Sequence, residues 1–277
     1  MGYQALYRRY RPARFEDFVG QEAVIKTLRS QITSGRIAHA YLFCGTRGTG
    51  KTSTAKVFAR AVNCEHPENG DPCGTCDTCR ALAEENSLDI LEIDAASNNG
   101  VDNIRQLREE ANFTPAVTNY RVYIIDETHM LSTGAFNALL KIMEEPPEHV
   151  IFILATTEVH KIPATILSRC QRFDFKRISP QVIAQRVIEV CQRENIDIQL
   201  PAAELIGRLA EGGMRDALSL LDVCSSSSEQ ITVEQVRQSA GLAVSDSLFA
   251  IGDAVLAQEL GCDAVARSQT AGKRSVV

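Results

Sequence analysis

The chemistry of this 277-residue chain is concentrated in a few short strings. Gly45-Thr46-Arg47-Gly48-Thr49-Gly50-Lys51-Thr52 has the spacing G-x-x-x-x-G-K-[ST] of a phosphate-binding loop. It directly follows an apolar run and directly precedes a helical one, the context that gives the motif its meaning. Glycines let successive backbone N–H groups turn inward around a phosphate, and the following helix N-terminus adds partial positive charge. Lys51 then reaches the outer phosphate oxygens, and the Thr52 hydroxyl suits Mg2+. The second string is Asp126-Glu127, two adjacent carboxylates closing the apolar run Val122-Tyr123-Ile124-Ile125. Beside a phosphate loop, Asp126 is expected to hold Mg2+, directly or through water, and Glu127 to polarise an attacking water as general base. The plainer alternatives are a chance glycine-rich turn and acids that merely cap the next helix. Loop, context and acidic pair together favour ATP hydrolysis.

Cysteines form the third feature. Of nine, Cys64, Cys73, Cys76 and Cys79 crowd together, while Cys44, Cys170, Cys191, Cys224 and Cys262 stand singly in apolar or helical stretches and are expected to be small buried hydrophobes. An odd total argues against a disulfide framework. The three closely spaced residues force a tight knuckle, and Cys64 completes a four-thiolate set suited to structural zinc. Asp71-Pro72 and Gly74 supply turn chemistry around it. An iron–sulfur site is the alternative, since C-x2-C-x2-C also opens a ferredoxin run; the x3-Cys-Pro continuation is absent, and Arg80-Ala81-Leu82-Ala83 begins a helix instead. Reduced thiols without metal are the third reading.

These groups need a scaffold that brings them together. Strand-length apolar runs at 39–44, 88–93, 121–125, 150–155 and 172–175 alternate with helical patterns at 52–62, 103–111 and 134–143, after a first helix over 23–32 ended by Gly35. Such alternation predicts an α/β core, a five-stranded parallel sheet flanked by helices. Past Ser179-Pro180, an N-cap followed by proline at the first helical position, the pattern turns helical, with segments to about 194, from 200 to Gly212-Gly213, over 215–224 and over 233–240. The expected division is a core over 1–178, a small all-helical lid over 179–242, and a further helix at 246–259 in the remainder. Apolar residues make up 44% and charged residues 23%, which excludes disordered and fibrous classes. The net charge of −6 confines any nucleic-acid contact to a local patch such as Arg8-Arg9-Tyr10-Arg11-Pro12-Ala13-Arg14. No apolar run is long enough to span a bilayer, and Met1-Gly2-Tyr3-Gln4 does not open a signal peptide, so a cytoplasmic protein is expected.

Further strings carry a family resemblance: Ala155-Thr156-Thr157, Ser168-Arg169-Cys170 and Gly213-Met214-Arg215-Asp216-Ala217-Leu218. With the phosphate loop and the acidic pair, this set resembles the clamp-loader ATPases of the AAA+ superfamily. The run Tyr10-Arg11-Pro12 through Phe18-Val19-Gly20-Gln21, the run Asn137-Ala138-Leu139-Leu140-Lys141 with Glu144-Glu145-Pro146-Pro147, and the cysteine cluster narrow it to the bacterial branch that serves DNA polymerase III. The similarity spans about residues 3–242. The resemblance implies an AAA+ P-loop core with a zinc insert over 64–79 and a lid. It implies Thr157 as the sensor-1 residue, in preference to Thr156, and Arg169 as an arginine finger inserted into a neighbouring subunit's ATP site. It implies Arg215 as the sensor-2 residue, and adenine contacts from Val19-Gly20 with Arg11 and Pro12. ATP, Mg2+ and structural Zn2+ are the implied cofactors. The implied partners are other clamp-loader subunits and copies of the chain, the sliding clamp, and primed DNA gripped through its backbone. The part beyond 242 would be the start of a helical collar. Asp126-Glu127-Thr128-His129 also looks like a helicase box, but too little chain follows for a second α/β lobe. An AAA+ branch-migration motor would not predict the cysteine insert, and a non-hydrolysing scaffold subunit would not need Lys51, Thr52, Asp126 and Glu127 all intact.

Overall fold

The apolar runs form five strands, and the structure, a computed structural model, describes residues 3–82, 88–115, 118–226 and 230–241. The chain enters through a one-turn helix α1 (Leu6–Arg9), a 3-10 turn at Phe15–Asp17 and α2 (Glu22–Ser34), which Gly35 ends in a left-handed conformation as expected. There follow β1 (Ala40–Cys44), α3 (Lys51–Val62), α4 (Asp77–Ala81), β2 (Ile90–Asp94), α5 (Val101–Glu110), β3 (Arg121–Asp126), α6 (Thr133–Glu144), β4 (Val150–Thr156), α7 (Ala164–Leu167) and β5 (Gln171–Asp174). The strands pair in parallel in the order β2-β3-β4-β1-β5.

Successive side chains on a strand point to opposite faces, and both faces here are covered. Tyr123, Ile125, Phe152 and Leu154 pack toward α5 and α6, joined by Ile104, Leu107 and Leu139. Val122, Ile124, Ile151 and Ile153 pack toward α2 and α3, joined by Leu28, Ala55 and Phe58. All seven residues of β4 are buried, which explains why its sequence shows no polar alternation. The crossover from β1 to the far edge of the sheet opens a crevice at the carboxyl ends of β1, β4 and β3, where open α/β sheets hold ligands.

The second unit comprises α8 (Pro180–Glu194), β6 (Asp197–Ile198), α9 (Leu200–Leu209), α10 (Met214–Ser225), β7 (Gln230–Ile231) and α11 (Val233–Ser239). Its helix starts follow local chemistry. The Ser179 hydroxyl accepts from the Val182 N–H, and Thr232 forms a capping box with Gln235. The short parallel pair β6–β7 adds strand structure to a unit expected to be helical throughout. Two residues each are too few to leave a periodic trace. The helix expected at 246–259 lies outside the described residues. Among those described, no helix is long and apolar enough to cross a membrane.

In space, the N-terminus does not follow the expected division at residue 178. Leu6 is buried in the lid's core beside Ile183, Val187 and Leu218; Arg9 and the Tyr10 hydroxyl both meet the Glu194 carboxylate, and the Tyr3 hydroxyl donates to Asp222. Phe15, a few residues on, is buried in the core under α2 and α3. The chain therefore ties lid to core before the core itself begins. Within the lid, α8 and α9 approach so closely at Gly207 that an added Cβ would overlap the Pro180 carbonyl oxygen. Replacing Gly207 by alanine is expected to destabilise the protein by about 2 kcal/mol despite alanine's better helix propensity, read as a lower denaturant midpoint.

Candidate nucleotide site and cysteine knuckle

The phosphate loop joins β1 to α3 at the crevice, and residues 47–53 line a cavity of about 620 Å3. Asp126 and Glu127 line it from the end of β3, Met214 and Arg215 from the lid, and Arg11, Pro12, Asp17, Phe18 and Val19 from the N-terminal segment. Gly45 and Thr46 lie behind the wall, and their carbonyls accept from the Lys51 ammonium at 2.8 and 2.9 Å. Lys51 is 6% exposed. Burial pulls its pKa down, while Glu127 and then Asp126 act against that fall.

Acidic pair and loop are directly linked. The Thr52 hydroxyl donates to Asp126 Oδ2 at 2.6 Å, and the Glu127 N–H donates to Asp126 Oδ1 at 2.9 Å. A hydroxyl and a carboxylate held together this way form an all-oxygen pair suited to a hard divalent cation. Glu127 has φ 46° and ψ 44°, a left-handed backbone that costs free energy for a side chain of its size. The Thr157 hydroxyl, at the tip of β4, donates to Glu127 Oε2 at 3.0 Å. Thr157 thus meets the acidic pair and stands outside the cavity lining. Thr156 is fully buried, accepting from the Glu158 N–H and bonded to His129 Nδ1.

Arg215, in the first turn of α10, stacks its guanidinium over the Tyr7 ring, 5.1 Å from the centroid, a cation–π contact between lid and N-terminal helix. Arg169 is not brought to the cavity. It sits after α7, bonded to Glu144 Oε1 at 2.8 Å and to the Thr165 carbonyl at 2.9 Å. Of the residues predicted for the nucleotide, Gly20, Gly45 and Thr46 are outside the cavity lining, Thr157 meets the cavity through Glu127, Arg169 lies away from it, and the others line it together.

Several contributors escaped the sequence reading. The Gln21 amide donates to the Lys176 and Thr49 carbonyls and accepts from the Lys176 N–H, tying the loop to the segment after β5. His129 lies between two carboxylates, 3.5 Å from Glu127 and 3.2 Å from Glu158. Tyr7 and Arg186 line the cavity from α1 and α8. Gln21 and His129 sit inside the quoted strings, so a signal existed; nothing local marks Tyr7 or Arg186, which reach the site only because the lid folds over it.

The four clustered cysteines come together away from this cavity, with all their sulfurs within 4.8 Å of one another. Cys64 to Cys76 is 4.0 Å and Cys73 to Cys79 is 3.9 Å. A tetrahedral four-thiolate site around one ion has sulfur–sulfur edges of about 3.8 Å, so the donor set fits a single ion better than a larger cluster, which would spread the thiolates. Backbone N–H groups of Thr75 and Cys76 pull the Cys73 thiol down to about 6, whereas burial pushes Cys64 and Cys79 up. The helix here starts at Asp77, capped by the Cys76 sulfur, so Cys79 lies inside α4, earlier than the start expected at Arg80. Of the single cysteines, Cys44, Cys191 and Cys224 are buried and Cys170 partly so, while Cys262 lies outside the described residues.

A phosphate loop between β1 and α3, acids ending β3 and a helical lid over the crevice define an AAA+ P-loop fold. Among solved structures, Thermotoga maritima RuvB, the Holliday junction branch migration motor, shares that fold at TM-score 0.61 with 18% identity, over 83% of this chain and 72% of that one. The family described as DNA polymerase III, delta subunit, matches residues 20–179, and the DNA polymerase III clamp loader subunit, ATPase lid domain, matches residues 182–224. The chain is 58% identical to DNA polymerase III subunit tau of Bacillus subtilis over 83% of this chain and 41% of the relative. It is 44% identical to the Escherichia coli tau subunit over 92% and 40%, and 45% identical to the gamma/tau subunit of Mycobacterium tuberculosis H37Rv over 95% and 45%. The chain belongs to the clamp-loader family of DNA polymerase III, and it spans about two fifths of the length of the curated relatives it matches.

Lid and loop meet at two glycines. Met214 donates its N–H to the Gly48 carbonyl at 2.9 Å, Gly48 has φ 77°, and a Cβ added there would lie 3.0 Å from Gly213 Cα. Gly48→Ala is expected to strain the loop and lift the lid from it, weakening nucleotide binding about tenfold by titration calorimetry, with the melting temperature little changed.

Proposed function

We propose that this chain is an ATP-hydrolysing motor subunit of the DNA polymerase III clamp loader, using ATP binding and hydrolysis to load the sliding clamp onto primed DNA. The observation that carries this reading is the split in the site. Loop, acidic pair and Arg215 share a cavity, whereas Arg169 is held outside it by Glu144. A site that lacks its own finger is suited to completion by a neighbouring copy or related subunit.

In this reading, the loop N–H groups and Lys51 hold the phosphates, and the segment from Arg11 to Val19 receives the base. Thr52 and Asp126 would hold Mg2+, which when bound neutralises phosphate charge. Glu127, positioned by its strained backbone and by the Thr157 hydroxyl, orients the attacking water and accepts its proton. Arg215 transmits occupancy of the site to the lid. Arg169 stabilises the charge developing on the transferred phosphoryl group in the adjacent subunit. The lid, bonded to the loop at Gly48, follows the state of the site, so the assembly shifts between a clamp-opening and a clamp-releasing arrangement. DNA contacts are to backbone phosphates and depend on salt. Cys64, Cys73, Cys76 and Cys79 would hold structural zinc, with no open coordination position for catalysis. A replication role of this kind places the protein in the cytoplasm.

Turnover of ATP by the chain mixed with its partner subunits, with and without clamp and primed DNA, tests the proposal. Stimulation by clamp and DNA together is expected; tight ATP binding with no stimulation would overturn the motor reading. Glu127→Gln is expected to leave nucleotide affinity within about threefold while cutting turnover by about a hundredfold or more. Arg169→Ala should lower turnover of the assembly by about a thousandfold, with nucleotide affinity of the isolated chain unchanged.

A further inference from the structure

The loop between Cys64 and Cys73 folds into a tight hairpin. Glu68 and Asp71 exchange N–H···O bonds of 3.0 and 2.9 Å across Asn69-Gly70, both with positive φ, at 52° and 84°. The hairpin is wedged against α2: a Cβ at Gly70 would stand 2.9 Å from the Arg29 carbonyl oxygen. Asp71 is 3% exposed and has both carboxylate oxygens engaged. Oδ2 pairs with the Arg29 guanidinium, and Oδ1 accepts from the Phe15 backbone N–H.

Phe15 belongs to the strap that leads into the cavity wall, where Asp17, Phe18 and Val19 follow it. The strap is gripped on either side as well. The Ala13 carbonyl accepts from Arg60 at 2.9 Å, and Arg14 pairs with Glu68 at 3.3 Å. A buried carboxylate bonded to a backbone N–H of another segment is a costly arrangement, and losing the Oδ1 acceptor leaves the buried Phe15 N–H unmatched.

We propose that the cysteine knuckle anchors the strap that walls the base side of the nucleotide cavity, with Asp71 as the positioning residue that links the two. This rests on the nucleotide reading of the cavity. Ordering of the four thiolates around an ion fixes the chain from Cys64 to Cys73, and with it the hairpin. Asp71 then holds the Phe15 N–H, and the residues just beyond Phe15 are held against the cavity. The phosphate loop stands on β1 and α3, and this segment touches it only at its far end, through Phe18 beside Gly50 and the Gln21 amide on the Thr49 carbonyl. The knuckle therefore sets affinity for the nucleoside part of a nucleotide far more than for the phosphate part.

The test compares wild type with Asp71→Asn, measuring binding of ATP and of inorganic tripolyphosphate by calorimetry alongside zinc content by mass spectrometry. The expected result is ATP binding weakened about tenfold, tripolyphosphate affinity kept within about twofold, and bound zinc retained. Wild-type protein stripped of zinc with a thiol-directed mercurial should show the same selective loss, reversed by thiol and added zinc. Equal ATP affinity in Asp71→Asn and wild type would overturn the proposal, as would parallel loss of ATP and tripolyphosphate. Should Asp71→Asn fail to fold, the same two affinities on the stripped and restored wild type decide the matter. Wild type that binds neither ligand would instead defeat the nucleotide reading itself.

Discussion

A buried ammonium organises this protein. Lys51 is nearly sealed from solvent, and an unmatched charge there would cost several kcal/mol. Two carbonyls of its own loop and the carboxylates of Asp126 and Glu127 offset it. The loop follows β1 and the acids end β3, so the charge balance requires those strand ends to lie close together, and the sheet brings them within one strand, β4, of each other. The strand order that achieves this also opens the crevice and brings Thr157, at the end of β4, onto Glu127. The same cation that would grip a phosphate is attracted by both acids, which the Thr52 and Thr157 hydroxyls bond directly.

Around that centre, movable parts are fastened to one another by few but specific contacts. The lid bonds to the phosphate loop at Gly48 and to the segment after β5 through Ile178 and Gly212. The N-terminal helix rides on the lid while the strap beyond it is rooted in the core. A displacement of the lid therefore reaches the cavity wall by two routes, through the loop and through the segment from Leu6 to Phe15. That coupling would serve the proposed motor, since elements with separate hydrophobic cores are joined at a site whose occupant can favour one arrangement. Arg169, held by Glu144 outside the cavity, lies where the proposed reading needs it, free of its own site and available to one presented by another chain.

Much of this was legible in the residues. The phosphate loop, the acidic pair and the cysteine spacing are local motifs whose chemistry depends on neighbours in sequence. The strands followed from apolar runs bounded by turns, and the lid's helices from the Ser179-Pro180 start and the Gly212-Gly213 stop. The β6–β7 pair was not legible, because two residues show no period. The start of α4 was misjudged because a cysteine sulfur serves as its cap, a role that spacing alone does not reveal. Placement of residues 3–10 on the lid was hidden too, since Leu6 and Tyr10 are equally compatible with packing on either unit.

The sequence alone determined which groups carry chemistry, because the loop, the carboxylates and the knuckle are each built from residues a few positions apart. It also determined the class of fold, because hydrophobic period and helix caps are local properties. Only the tertiary structure decided how these pieces act on one another: that Thr157 meets Glu127, that Arg215 rests on Tyr7, that Asp71 ties the knuckle to the strap, and that Arg169 faces away from its own cavity. Each of those contacts joins segments distant in the chain, and their geometry is set by burial and strand order, which no short stretch of sequence contains.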